Sequence, residues 1–160
     1  MAEHLPIRLA RPDEIGAIYG VHRDSVSALC REHYTPEQIG MWLDGRTAEM
    51  YLDAIRDQRL WVALGRGGAI TGFVEVVGRE VSKLFVRSEA AGAGIGGVLL
   101  ATAVDAIRAS GARSVYLEAT RNAREFYRKH GFVEVGSGLF SRGEGGVGLE
   151  IVKMELDLAH

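Results

Sequence analysis

A chain of 160 residues with a formal net charge of −2 has room for one core, and folding at this length takes roughly two-thirds of the unfolded surface out of water. It has no run of Lys or Arg, which argues against nucleic acid or an anionic membrane as the main partner, because both need concentrated positive charge. No apolar run approaches the roughly 18 residues of a membrane span, the start of the chain lacks the regions of a leader, and the only cysteine, Cys30, cannot close an internal disulfide. A reducing, cytoplasmic setting is therefore expected.

The elements follow in a mixed β/α order without a linker or repeat. Ile7-Arg8-Leu9 reads as a short strand, and apolar residues at Ile15, Ile18, Tyr19, Val26, Leu29 and Cys30 then keep a helical period. Thr35-Pro36-Glu37-Gln38 supplies an N-cap, a proline at the first helical position and a capping-box glutamine, so a second helix opens there. A third helix is predicted over 47–58. Strands over 60–64, 69–77 and 80–86, separated by glycine-bearing turns, form an antiparallel meander. A helix over 98–108 buries Leu100, Ala103, Val104 and Ile107, and a strand over 114–119 follows it. Asn122 and Glu125 resemble a capping box for a helix whose inner face holds Ala123, Phe126, Tyr127 and His130. Two last strands, over 132–136 and 149–156, flank a glycine-rich loop. The fold class is α/β (α+β), a single domain over 1–160.

The most informative segment is Gly92-Ala93-Gly94-Ile95-Gly96-Gly97, between the strand Leu84-Phe85-Val86 and the helix that follows. Glycines let a backbone turn at positive φ and approach an anion closely, and a helix N-terminus adds unpaired N–H groups and a favourable dipole. The segment reads as a phosphate cradle. One version is the dinucleotide fingerprint: Gly92, Gly94 and Gly97 have its spacing, and Glu118 follows Gly97 by 21 residues, where a ribose-binding acid belongs. Against it, Arg87-Ser88-Glu89-Ala90-Ala91 separates the strand from the first glycine, and too little chain remains after Glu118 for a second βαβ half.

The other version resembles the GNAT family, the GCN5-related, acetyl-CoA-dependent N-acetyltransferases. Leu84-Phe85-Val86 followed by Gly92-Ala93-Gly94-Ile95-Gly96 is similar to that family's fourth strand and pyrophosphate loop, Gln/Arg-x-x-Gly-x-Gly/Ala, with Ala91 standing where the family has Gln or Arg. Asn122-Ala123-Arg124-Glu125-Phe126-Tyr127-Arg128-Lys129-His130-Gly131-Phe132 resembles its second signature. The resemblance implies a central, mixed, mostly antiparallel sheet of about seven strands flanked by helices. It implies acetyl-CoA as co-substrate and no metal, with Leu84, Phe85, Val86, Ala91, Gly92, Ala93, Gly94, Ile95, Gly96, Gly97, Asn122 and Phe126 at the cofactor. It further implies a strand backbone N–H as oxyanion donor and Tyr127 facing the thioester sulfur as the acid for the departing thiol. Glu80, four residues before Leu84, matches the place where some members carry a catalytic glutamate.

Other readings compete at each position. Tyr127 falls on a buried helix face and suits a core tyrosine. Glu75 interrupts the apolar run 73–77 and is a second candidate base, with water a third. His22, His33 and Cys30 lack zinc-like spacing and read as packing or surface residues. The acceptor, a small-molecule or peptide amine, is expected to meet the regions 27–41 and 137–148, where Arg31, His33, Tyr34 and Arg142 suit a carboxylate. A homodimer is compatible with the pattern. Three functions stay open: an amine acetyltransferase, a non-catalytic acyl-CoA-binding module and a dinucleotide-binding oxidoreductase.

Overall fold

The computed structural model describes residues 6–29, 48–90, 92, 94–121, 123–140 and 149–158. They hold β1 (Ile7–Leu9), α1 (Ile15–Leu29), α2 (Leu52–Arg56), β2 (Leu60–Leu64), β3 (Ile70–Val77), β4 (Glu80–Val86), α3 (Ile95–Ala109), β5 (Ser114–Ala119), α4 (Arg124–Lys129), β6 (Val133–Phe140) and β7 (Leu149–Asp157). The helix expected to open at Thr35 lies outside the described residues, as do Cys30 and His33.

All seven strands join one sheet in the order β1-β2-β3-β4-β5-β7-β6, antiparallel throughout except for β4 beside β5. Alternation along the strands gives each face its own core. Val62, Phe73 and Phe85 pack with Ile18 and Val21 of α1 and with Tyr51 on one face. Val74, Leu84, Val86, Leu117 and Met154 pack with Leu99, Ala103 and Ile107 of α3 and with Tyr127 of α4 on the other.

Glu14 sets the start of α1. Its carboxylate accepts the Arg11 N–H at 2.8 Å and both prongs of the Arg8 guanidinium at 2.8 and 2.6 Å, closing the turn Pro12–Glu14. The hydrogen bond from Arg8 holds the Glu14 carboxyl below its ordinary range. Ile18, Val21, His22 and Ser25 of α1 are buried, and Ile15 and Tyr19, half-buried, pack against the same core, so the expected face holds at Ile15, Ile18 and Tyr19 and widens to Val21, His22 and Ser25.

Several boundaries differ from expectation for physical reasons. The helix expected over 47–58 is a 3-10 turn, Ala48–Tyr51, leading into the short α2. α3 begins at Ile95 rather than 98, because Ile95 and Leu99 are buried one turn apart and carry the first turn through Gly96 and Gly97. Those two glycines keep neighbours close: an added Cβ would meet Phe126 Cζ at 3.2 Å from Gly96, and His130 Nε2 at 3.1 Å from Gly97. α4 begins at Arg124 with Ala123 at its N-cap, and Glu125 pairs with Arg128 at 2.8 Å; Asn122, the other half of the expected capping box, lies outside the described residues. His130, expected inside, is exposed. β6 runs on to Phe140 because its pairing with β7 continues as far as Phe140↔Leu149.

β4 carries a bulge. Glu75 faces Lys83 and Val76 faces Val81, so Ser82 is the extra residue on β4.

Candidate active site

β4 stays paired to β3 as far as Gly72↔Val86 and β5 to β7 as far as Ala119↔Val152, yet β4 and β5 share the single pair Glu80↔Tyr116. The two parallel strands part toward their C-terminal ends. The Arg87 N–H donates to the Thr71 carbonyl of β3 at 2.8 Å, so alternation points the N–H groups of Val86 and Leu84 away from β3, into the gap. A cavity of about 390 Å³ fills it.

One end of this cavity is the turn from β4 into α3. Gly92 and Gly94 hold φ of +88° and +83°, where a Cβ on either would reach open space. This left-handed conformation suits glycine and strains other residues, so the backbone stays bare where the cavity opens. Gly94 is the N-cap of the 15-residue α3, whose first N–H groups lack intrahelical partners and carry the positive end of the dipole. The turn can therefore receive a multiply charged anion through its backbone alone.

Leu84, Phe85 and Val86 line the middle, with Ala90, Thr120, Ala123 and Phe126. Tyr127 also lines the cavity, is 7% exposed, and packs edge-on against Phe126 and Phe132 with ring centroids 5.1 and 5.8 Å away. Its hydroxyl makes no hydrogen bond with any described residue. Burial raises the phenol above its ordinary pKa, so at neutral pH it keeps its proton and can donate it.

The acidic candidates lie elsewhere. Glu75 is buried on β3, and its Oε1 accepts from Ser82 Oγ at 2.6 Å and from Lys83 Nζ at 2.9 Å, both on the facing bulge. Glu80 opens β4 beside Tyr116. The Tyr116 phenol is pushed up to about 12 by burial first, then by its hydrogen bond to Glu118 and by the charges of Glu118 and Glu80. Neither Glu75 nor Glu80 lines the cavity. β4 advances about 13 Å from Glu80 to Leu84, so any proton exchange between Glu80 and a group at Leu84 runs through water. Glu118 is held by the Tyr116 hydroxyl at 2.9 Å and is exposed.

The fold thus gathers Leu84, Phe85, Val86, Gly92, Gly94, Ile95, Gly96, Gly97, Phe126 and Tyr127 around one cavity. Ala91, Ala93 and Asn122, with Arg31, Tyr34 and Arg142, lie outside the described residues. The sequence reading missed Ser25, Ala90, Thr120 and Ala123 as cavity residues. Ser25 had a signal, its place one helical turn after the apolar Val21, but the expected stripe did not include either position.

The topology argues against the dinucleotide fingerprint. One parallel strand pair replaces the parallel run such a site needs, and the turn Ser88–Ala90 intervenes before the first glycine. Among the described residues no three His, Cys, Asp or Glu side chains gather as metal ligands would, and no helix is long and apolar enough to cross a membrane.

Known proteins share the whole architecture. A GCN5-related N-acetyltransferase from Rhodopseudomonas palustris superposes with a TM-score of 0.84 at 22% identity, covering 99% of this chain and 98% of that one. PaiA N-acetyltransferase from Thermoplasma acidophilum, solved with coenzyme A, gives 0.76 at 20% identity, covering 97% and 99%. YncA from Salmonella typhimurium, solved with acetyl-CoA, gives 0.73 at 18% identity, covering 99% and 96%. No curated protein matches the chain as a relative. The family model of the acetyltransferase (GNAT) domain matches residues 30–158, which spans the glycine turn, the parted strands and Tyr127, and the chain belongs to that family of acyl-transfer enzymes.

Proposed function

We propose that the protein moves an acetyl group from acetyl-CoA to an amine by direct attack. The observation that carries this reading is the cavity between β4 and β5, which runs from the bare-backbone turn at the N-terminus of α3 to the Tyr127 hydroxyl. The residues fit the group. Gly92, Gly94 and the first N–H groups of α3 would hold the pyrophosphate, and the N–H groups of Leu84 and Val86 would bond the extended arm as an added strand. The coenzyme A and acetyl-CoA complexes of PaiA and YncA support this reading.

Acetyl-CoA supplies an activated acyl group on a thiol of pKa about 8.5. The chain's own groups do the rest. The N–H groups that β4 leaves unpaired in the gap meet developing negative charge without reorganising. Tyr127, neutral in its buried site, gives a proton or a hydrogen bond to the departing sulfur. An amine of ordinary pKa near 10.4 must shed a proton before attack, and no described carboxylate lines the cavity, so that proton leaves through water, with Glu80 its nearest sink along β4. The acceptor is a small-molecule or peptide amine, and the cysteine takes no part.

Thermal unfolding with acetyl-CoA, coenzyme A, NAD and NADP tests the cofactor. Acetyl-CoA at 100 times its dissociation constant should add about 2.7 kcal/mol, which for a chain this long raises Tm by about 5–10 °C. Stabilisation by NAD alone would overturn the reading. Release of free thiol in the presence of a panel of amines then separates a transferase from a binding module.

A further inference from the structure

Ser25 is 5% exposed, lines the cavity, and its hydroxyl makes no hydrogen bond with any described residue. A serine in a helix normally satisfies itself on the carbonyl one turn back or in water. With no such carbonyl bond, the Ser25 hydroxyl is left to the water of the cavity, and a ligand that displaces that water must pair with it or leave it unsatisfied at a cost.

Its place in the fold says which part of a ligand reaches it. α1 packs on the sheet face that carries Phe85, where His22 stacks on the Phe85 ring with centroids 4.3 Å apart, and the Asp24 carboxylate accepts the Ser88 N–H at 2.7 Å just beyond β4. Ser25 is thereby fixed above the end of β4. Tyr127 belongs to the opposite face, with α3 and the glycine turn. A chain threaded through the gap from the glycine turn therefore passes Tyr127 first and Ser25 last. If the sulfur lies at Tyr127, what projects beyond it is the acyl group, whose single polar atom is the carbonyl oxygen. A hydroxyl donor is its complement.

We propose that Ser25 donates a hydrogen bond to the acyl carbonyl oxygen, adding a side-chain donor to the backbone N–H groups of β4. This rests on the acyl-CoA reading of the cavity. The bond strengthens as negative charge grows on that oxygen, and it is lost once the acyl group has left. Ser25 thus favours the loaded thioester over free coenzyme A and helps the product go.

Calorimetric titration of the full chain with acetyl-CoA, coenzyme A and the thioether S-ethyl-CoA, which lacks the carbonyl, provides the test. Ser25→Ala should weaken acetyl-CoA by about 3- to 10-fold and leave the other two unchanged, while Ser25→Thr, which keeps the donor, restores it. Equal losses for all three ligands would show that Ser25 only shapes the cavity, and no loss for any would show that it makes no contact; either overturns the proposal. Wild-type protein that binds none of the three refutes the acyl-CoA reading itself, before any variant is made. Alanine suits a helix interior, and Ser25→Cys, close in size and a weak donor, should show the same pattern if Ser25→Ala fails to fold.

Discussion

Tyr127→Phe separates packing from chemistry at one atom. The ring lies against Phe126 and Phe132 and is kept, and the hydroxyl it loses has no partner among the described residues, so stability should change by less than about 1 kcal/mol. Acetyl-CoA affinity should hold, because the glycine turn and the unpaired β4 backbone are untouched. Turnover should not. General acids typically contribute 10²–10⁴ in rate, about 3–5 kcal/mol in barrier, and the buried neutral phenol is suited to that role. The assay is thiol release in a single turnover, with an amine acceptor taken from the panel, so that chemistry and not product release is measured. The pH profile adds a second check. Because burial raises the Tyr127 pKa, the phenol stays protonated below about pH 10, and any alkaline limb there must be identical in wild type and variant. Near-full turnover by Tyr127→Phe in a chemistry-limited assay would refute the assignment. The tyrosine would then be a core residue, and coenzyme A would leave as an unassisted thiolate.

Two further expectations follow from the same geometry. Gly94→Val should cost about 1–3 kcal/mol of stability through its left-handed backbone and abolish acetyl-CoA binding by calorimetry, whereas Gly67→Val, at φ +75° in the turn between β2 and β3, should lose stability alone; unchanged affinity in a folded Gly94 variant would place the cradle elsewhere. Glu80→Gln should lower turnover with acetyl-CoA affinity intact, while Glu75→Gln, which leaves Lys83 facing a neutral amide, should instead lower urea-unfolding stability by about 1–3 kcal/mol; the opposite pattern would exchange their roles.

How much of this was legible follows from how far apart the deciding residues are. The glycine turn and the α4 signature are local: Leu84 to Gly97 and Phe126-Tyr127 carry their geometry within one strand–turn–helix or one helix, and the cavity gathers both. Helix ends were less legible where tertiary contacts overrode propensity. Gly96 and Gly97 read as loop, yet burial of Ile95 and Leu99 against the sheet makes them helical, and contact with Phe126 and His130 keeps them small. The inward face of α1 was read too narrowly: Ile15, Ile18 and Tyr19 pack against the core as their period implies, and Val21, His22 and Ser25 are buried beside them. Val21 shares the cluster of Ile18 and Phe73, and Ser25, one turn further on, comes to line the cavity.

The same distinction accounts for the two carboxylates. Glu75 and Glu80 both interrupt or begin an apolar strand, and a single strand cannot say which faces the reaction. The bulge at Ser82 answers for Glu75: it sets Ser82 and Lys83 together against one carboxylate oxygen, which ties the strand irregularity to β3. Glu80 sits where β4 and β5 still touch, at the closed end of the V whose open end is the cavity. One parallel pair thus does two things. It ties the halves of the sheet together at Glu80↔Tyr116, and by being the last such pair it leaves the backbone of Leu84 and Val86 facing the cavity instead of a strand. A chain that pairs β4 with β5 along their full length would bury those N–H groups in a ladder and have no site. The opening of the sheet, more than any side chain in it, is what this fold contributes to acyl transfer.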